Sequence, residues 1–309
     1  MREIFESSRK ELIDFIIKKY DTYGEIVTQI PSLHLYKINE ISEFIHIIYE
    51  PSVCIILQGS KAVGLGNNMY SYDPGKYLLV STNIPANIKI EEASQELPYF
   101  SLTLTFELEQ IYEVIKEIGW KDTSPKSNPD IGLYFDDMNE ELISPISRLV
   151  KLLDTPQKNI DFLSPLIIKE ILYVLLNGNS GEFLKQYVME GTTTNQISKA
   201  ITEIKNNFTQ TINMKELAYR ISMSESSFYH NFKKITMLSP LQFQKKLRLE
   251  EAKKILFNQD IEASQVAFDV GYESPSQFSR EYVRMFGLPP KTHINYLKSS
   301  IFNFVNLQD

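Results

Sequence analysis

The side chains best suited to chemistry lie near the C-terminal end, in two stretches that resemble each other. Ser224 to Lys234 reads Ser-Glu-Ser-Ser-Phe-Tyr-His-Asn-Phe-Lys-Lys, and Ser274 to Arg284 reads Ser-Pro-Ser-Gln-Phe-Ser-Arg-Glu-Tyr-Val-Arg, 50 positions later. Phe228 aligns with Phe278, Phe232 with Tyr282, Lys234 with Arg284, and Pro240 with Pro290. If both stretches are helices, aromatic residues four apart share one buried face. The first helix then projects Ser226, Ser227, Tyr229, His230, Lys233 and Lys234, and the second projects Ser276, Gln277, Arg280 and Arg284. Arginine matches the paired acceptors of guanine in a major groove, and glutamine matches adenine, so Arg280 and Gln277 are candidate base readers. Lys233, Lys234 and Arg284 suit phosphates, which position a protein without specifying sequence.

Such helices must be held by others. Upstream of each lies a shorter apolar-periodic stretch with an alanine: Met214-Lys-Glu-Leu217-Ala218-Tyr-Arg-Ile221, and Ala263-Ser-Gln-Val266-Ala267-Phe-Asp-Val270. A small residue there lets the second helix cross closely, as a helix-turn-helix requires. Short turns follow, Ser222-Met223 and Gly271-Tyr272-Glu273, and Ser224 and Ser274 stand as N-caps. Ser274-Pro275-Ser276-Gln277 also fits a capping box. Ser239-Pro240 opens a long helix through Phe243, Leu247, Ala252, Ile255 and Leu256 that joins the units. Entry of both recognition helices into one face of a duplex needs a separation of about 34 Å. The competing reading is a plain helical bundle whose repeat reflects shared packing; two matched units on one long helix, with local positive charge, favour DNA.

The net charge of -7 would argue against a nucleic-acid binder if it were uniform. From Asn195 onward there are 15 Lys and Arg against 11 Asp and Glu, whereas the first 194 residues hold 17 against 28. Phosphate binding needs local positive charge only.

At these residues the chain resembles the AraC/XylS family of transcription regulators. The matching text is Leu217-Ala218, Met223-Ser224, Phe232-Lys233, Ser239-Pro240, Arg248-Leu249-x-x-Ala252, Val270-Gly271-Tyr272, Ser276-Gln277-Phe278-Ser279-Arg280 and Phe286-Gly287. Met237 departs from the usual glycine, and His293-Ile294 from a closing Tyr-Arg pair. Upstream, Tyr49-Glu50-Pro51-Ser52-Val53-Cys54-Ile55-Ile56-Leu57-Gln58-Gly59-Ser60-Lys61 and Lys169-Glu170-Ile171-Leu172-Tyr173 are similar to the N-terminal module of one AraC-type subgroup. The resemblance implies a cupin-like barrel followed by dimerisation helices. It also implies a regulator that binds double-stranded promoter DNA, and RNA polymerase too if it is an activator.

The texture upstream agrees with this. Residues 2–20 form an amphipathic helix with Leu12, Phe15, Ile16 and Ile17 as its stripe. Between Ile26 and Leu104 come short apolar runs punctuated by Gly64, Gly66-Asn67-Asn68, Asp73-Pro74-Gly75 and Pro85, as in an antiparallel barrel or sandwich. Helices follow over 109–118, over 139–153, from the N-cap pair Ser164-Pro165 to Asn177-Gly178-Asn179, and over 181–189. The fold class expected is therefore α+β multidomain. A cupin-like antiparallel barrel with flanking helices occupies 1–130, a helical dimerisation segment 131–190, a linker 191–196, and an all-α domain of two helix-turn-helix motifs joined by a long helix 197–299.

A barrel lined partly by aromatics suits a small organic effector, with Tyr36, Gln58, Lys61, Tyr77 and Tyr99 as conceivable contacts. Leu142-Ile143-Ile146-Leu149-Val150 and Ile167-Ile171-Leu172-Leu175 offer apolar surface for a homodimer or for burial within one chain. The catalytic alternative is a metal-dependent cupin enzyme carrying a DNA-binding domain. Metal cupins need clustered histidines and a carboxylate, whereas only His34 and His46 fall in the barrel region, without His-x-His spacing. Gly59-Ser-Lys61-Ala-Val-Gly64-Leu-Gly66 lacks P-loop spacing and reads as a hairpin. No enzyme activity, cofactor or metal is expected. The single cysteine, Cys54 in Val53-Cys54-Ile55-Ile56, reads as a buried hydrophobe rather than a redox sensor, and the only tryptophan, Trp120, as packing. With acids in Met1-Arg2-Glu3-Ile4-Phe5-Glu6 and no long apolar run, a cytoplasmic protein without membrane contact is expected.

Overall fold

The computed structural model describes residues 2–119 and 131–305; Trp120 and the expected domain end at 130 lie outside them. The chain divides into two compact units, Met1–Ser198 with Lys234–Met237, and Lys199–Lys233 with Leu238–Asp309.

The first unit is built on two antiparallel sheets. Strands β1 (Gly24–Val27), β2 (Leu33–Ile38), β3 (Ile45–Tyr49), β4 (Ser52–Gln58), β5 (Ser60–Leu65), β6 (Asn68–Tyr72), β7 (Lys76–Val80), β8 (Ile84–Glu92), β9 (Tyr99–Thr105) and β10 (Leu133–Asp137) are preceded by α1 (Arg2–Lys19). The larger sheet has the order β1-β2-β9-β4-β7-β10 and the smaller β3-β8-β5-β6. An unbroken apolar run makes β4 the central strand, because only a strand covered on both faces buries both side-chain sets. Its Cys54 and Ile56 point into a core shared with Val63, Ala86 and Ile90 of the smaller sheet. Val53, Ile55 and Leu57 are buried on the other face, where α1 packs against the strand. In α1 Phe5, Leu12, Ile13 and Ile16 are buried, so Leu12 and Ile16 of the expected stripe hold, while Phe15 is half-buried and Ile17 is exposed. The strand β10 falls within the segment expected to be helical, and pairs with β7 from Leu133↔Val80 to Asp137↔Lys76. Its five residues carry no turn-bounded alternation strong enough to be read without the partner strand.

Helices α2 (Leu108–Glu117), α3 (Glu140–Lys151), α4 (Gln157–Asn177) and α5 (Gly181–Val188) complete the layer. The expected start of α4 at Ser164-Pro165 is overturned: the helix begins at Gln157 and holds Pro165 inside it. Ile160 and Ser164 already lie on the buried face with Ile167 and Ile171, so packing outweighs the backbone hydrogen bond that proline deletes. The next helix, α6 (Thr193–Asn206), begins inside the segment expected to be a linker. The Thr192 hydroxyl accepts from the Asn195 amide at 3.1 Å, and the Asn195 side chain donates to the Tyr187 carbonyl at 3.0 Å. Among the described residues no helix is long and apolar enough to cross a membrane.

The second unit is helical: α7 (Met214–Arg220), α8 (Glu225–Thr236), α9 (Pro240–Asn258), α10 (Ala263–Asp269), α11 (Pro275–Phe286) and α12 (Pro290–Val305) follow α6. The long helix α9 starts with a capping box, Ser239 with Gln242, and proline in its first turn. Phe232 packs edge-on against Phe243 of α9 at 5.4 Å between ring centres, and Leu249, Ala252 and Leu256 of α9 join Val266, Phe278 and Tyr282 in one core. Gly271, at φ +90°, is enforced twice, by its left-handed backbone and because an added Cβ would sit 2.0 Å from the Thr209 carbonyl oxygen. Gly287, at φ +78°, has open space around it. Gly271→Ala should therefore cost more than about 2 kcal/mol, and Gly287→Ala only the backbone penalty of about 1–2 kcal/mol; urea unfolding of the two variants checks the order.

Candidate nucleic-acid interface

Each pair α7–α8 and α10–α11 is a helix-turn-helix closed by the same backbone bonds. The Met223 amide donates to the Ala218 carbonyl at 2.9 Å, and the Tyr272 amide to the Ala267 carbonyl at 2.9 Å. Both alanines are buried, which explains why a small residue recurs there. The turn residue is left-handed in both, Ser222 at φ 59° and Gly271 at φ 90°. Serine tolerates this conformation at a cost that glycine avoids.

Aromatic residues anchor the recognition helices. Phe228 and Phe232 of α8 are fully buried with ring centres 5.5 Å apart, and Phe278 and Tyr282 of α11 are equally buried at 5.5 Å. The opposite faces are exposed: Ser226, His230 and Lys233 on α8, and Ser276, Gln277, Arg280 and Arg284 on α11. The remaining candidates Ser227, Tyr229 and Lys234 are half-buried. Ser227 is engaged within its helix, its hydroxyl accepting from the Asn231 amide at 3.1 Å, and Lys234 groups with the first unit.

The capping differs from the sequence reading. Ser224 caps α8, its hydroxyl accepting from the Ser227 amide at 3.3 Å. The capping box expected at Ser274 and Gln277 is absent; Ser274 makes no side-chain cap bond. Gln277 instead donates to Glu281 at 3.2 Å. Proline at the first position of α11 already removes one orphan N–H, so the cap has less to satisfy. Sequence inspection had not marked Glu281. It also accepts from Lys245 of α9 at 2.7 Å and from the Tyr272 hydroxyl at 2.9 Å. It thus ties the recognition helix to the turn before it and to the connecting helix. The two departures from the family pattern are also resolved. Met237 adopts φ 60°, the left-handed conformation that Gly287 takes after α11. His293 pairs with the Tyr282 hydroxyl at 3.1 Å and stacks on Phe286, replacing the closing Tyr-Arg pair.

In the first unit, the five candidate effector contacts do not converge. Lys61 and Tyr99 are buried in the interior between the sheets, and Tyr36 packs at its margin with its hydroxyl toward Glu25 at 3.4 Å. Tyr77 points to the opposite face, donating to Asp136 at 3.1 Å and to Ser180 at 3.2 Å. Gln58 donates to the Pro98 carbonyl at 2.7 Å. Two interior tyrosines went unmarked, Tyr49 and Tyr72. The hairpin turn at Gly66-Asn67 carried the signal for Tyr72, since counting back from it pairs Lys61 with Tyr72. Cys54 is buried and its thiol accepts from the Thr103 hydroxyl at 3.6 Å. The apolar residues weighed for a dimer face, Leu142, Ile143, Ile146, Leu149, Val150, Ile167, Ile171, Leu172 and Leu175, are all buried within the unit. Among the described residues no three His, Cys, Asp or Glu side chains cluster as metal ligands do.

With this geometry in hand, comparison with known proteins defines the class. The family model for the AraC-type transcriptional regulator N-terminus matches residues 29–183, half of the chain, and a helix-turn-helix domain model matches 217–295. The chain belongs to the AraC-type transcriptional regulators. It is similar to the raffinose operon transcriptional regulatory protein RafR of Pediococcus pentosaceus, 28% identical over 53% of this chain and 57% of the relative. It is also similar to the transcriptional activator RhaS of Salmonella agona, 24% identical over 50% of this chain and 55% of that protein. The chain thus spans about half the length of these curated relatives. Among solved structures, unsaturated fatty acid bound wild-type ToxT from Vibrio cholerae shares the fold at a TM-score of 0.56, with 12% identity over 85% of this chain and 94% of that one. The catalytic alternative finds no support in these relatives, which are named as regulators.

Glu281 supplies a pH test of the interface. Burial alone would raise its carboxyl, but the donors Lys245, Gln277 and Tyr272 outweigh that and hold it below the usual carboxylate range. A depressed folded-state pKa contributes stability above the unfolded value, and that contribution is lost as pH falls through the folded one. Glu281→Gln should therefore be less stable than wild type at pH 7, with the difference vanishing in acid; denaturant titrations across pH measure it.

Proposed function

We propose that this protein regulates transcription by binding promoter DNA through both helix-turn-helix units, under the control of a small-molecule effector and of dimerisation through its N-terminal unit. The observation that carries the DNA reading is the pair of exposed polar faces on α8 and α11, each backed by a buried aromatic pair. In this reading Arg280 and Gln277 contact base edges, with Gln277 exchanging its bond to Glu281 for one to adenine. Lys233 and Arg284 contact phosphates, Ser226, Tyr229, His230 and Ser276 adjust fit, and Ser227 and Lys234 steady the first helix. The effector acts only through different affinities for two arrangements of the protein. Relatives named as an operon regulator and an activator support a promoter target and a contact with RNA polymerase. Such a role puts the working site in the cytoplasm. Mapping bound sites across the genome tests the reading; the absence of recurrent promoter sites overturns it.

Arg280→Ala should cost about 1–3 kcal/mol at the cognate site and relax preference at one position, whereas Lys233→Ala should weaken all sequences alike and lower the salt slope by about one unit. Gel-shift titrations at several salt concentrations separate the two roles.

For the homodimer, the apolar residues left exposed on α4 replace those the sequence suggested. Phe162 is 72 % exposed, Leu166 54 % and Tyr173 50 %. Their spacing of four and then seven puts them on one helical stripe, suited to a second copy of the same helix. Leu166→Glu should shift the protein from dimer to monomer in sedimentation without loss of helix content.

A further inference from the structure

Among the described residues, the interior between the two sheets holds a buried lysine and no buried carboxylate. Lys61 on β5 is 7 % exposed. Its ammonium lies 5.8 Å from the ring centre of Tyr49 and 5.6 Å from that of Tyr72. The titratable groups that act on it include Tyr49, Tyr72, Tyr99, Cys54 and Tyr36, none of them a carboxylate. The hydroxyls of Tyr49, Tyr72 and Tyr99 are buried; that of Tyr49 faces Lys61, and those of Tyr72 and Tyr99 have no hydrogen-bond partner among the described residues. Cys54, Ile56, Val63, Leu78, Val80, Ala86 and Ile90 share the core with these tyrosines.

Buried polar groups are almost always paired, and two unmatched hydroxyls beside a buried ammonium in a single cluster call for an explanation. Attraction of an ammonium to aromatic faces offsets part of what its burial costs, but less than an ion pair with hydrogen bonds does. Burial opposes the Lys61 charge, and negative charge on the surrounding phenols would raise its pKa. Burial pushes the Tyr49 and Tyr72 phenols up in turn, so they stay neutral at pH 7 and leave the ammonium without a counterion. Water could satisfy the hydroxyls but not the charge. A dianion such as phosphate would leave one negative charge unmatched between apolar walls.

We propose that this cluster is an anion site that takes the carboxylate of a small organic acid, paired with Lys61 and receiving hydrogen bonds from Tyr49, Tyr72 and Tyr99. The proposal rests on the effector reading above and names the chemical class of the effector. The charge is single, the donors are neutral, and the side chains packed beyond them are mainly apolar, which fits one carboxylate on an apolar body.

The test is thermal unfolding of the full chain with acetate, hexanoate or benzoate, each against its own amide at equal ionic strength. At least one carboxylate is expected to raise Tm while its amide does not. Its affinity should fall at least about tenfold in Lys61→Met, as loss of a charge-assisted bond implies. Tyr72→Phe, which deletes only an unpaired hydroxyl and so retains the fold, should weaken it measurably. The proposal is overturned if no carboxylate outperforms its amide, or if the shift survives in a folded Lys61→Met and in Tyr72→Phe. DNA affinity, measured alongside, separates the two readings. Carboxylate binding that leaves DNA affinity unchanged upholds the anion site and overturns effector control. A neutral molecule that alters DNA affinity independently of Lys61 upholds effector control and overturns the anion site.

Discussion

The guanidinium of Arg248, in the middle of the connecting helix α9, holds the helical unit together. It donates to the Phe208 carbonyl at 2.7 Å and the Gln210 carbonyl at 3.0 Å, in the loop that leads into the first helix-turn-helix, and to the Gly271 carbonyl at 2.7 Å, in the turn of the second. Gln244, one helical turn earlier, donates to the Phe208 and Gln210 carbonyls as well. These carbonyls lie at helix ends and turns, where the helix ladder has no donor to offer. A planar, permanently charged fork can satisfy several of them at once, which a lysine cannot do with the same geometry. Because the two loops share one side chain, each reading face is referred to the same rigid helix. Gly271 is then fixed in type, since the carbonyl of Thr209 and the Arg248 fork both crowd the place where its Cβ would be.

The two helix-turn-helix units share a plan but differ in how they are held. The first turns at Ser222, ends its recognition helix at left-handed Met237, and is capped by Ser224. The second places glycine at both left-handed positions and anchors α11 from the side, through Glu281 to Lys245 and Tyr272. One unit therefore tolerates backbone strain where the other avoids it. On α11 the exposed Arg280 and Arg284 lie near Glu281, whose carboxylate is already committed to Lys245, Gln277 and Tyr272.

In the N-terminal unit, burial on both faces of the larger sheet separates two environments. One face meets the helices, and there Tyr77 is satisfied by Asp136 and Ser180. The other meets the smaller sheet and holds Lys61 beside the hydroxyls of Tyr49, Tyr72 and Tyr99, the last two without partners among the described residues. Successive strand residues point to opposite faces, so Tyr77 and Leu78 belong to different environments although they are neighbours in the chain. The helices α3 and α4 bury their strongest stripes against the unit, and Phe162, Leu163, Leu166 and Tyr173 are left exposed on α4.

How far the sequence carries the structure depends on the range of the interaction. The helix-turn-helix repeat, its alanines and its aromatic pairs are legible, because each follows from helical spacing within about a dozen residues; the outward faces are legible only in part, since Ser227, Tyr229 and Lys234 are half-buried. The left-handed turn at Gly271 and the opening of α9 at Ser239-Pro240 were local in the same sense. What tertiary structure decided was how competing local options were settled. Gln277 had two acceptable partners on its own helix, and the approach of Lys245 and Tyr272 to Glu281 gave it to Glu281 rather than to a cap. Pro165 reads as a helix start until packing of Ile160 carries α4 past it. The strand at Leu133 has no strong pattern until β7 supplies its hydrogen bonds, and Lys61 becomes a buried charge among tyrosines only when β3, β5, β6 and β9 close around it. Local spacing fixes which face a side chain takes; only the packing of distant strands and helices fixes what that face meets.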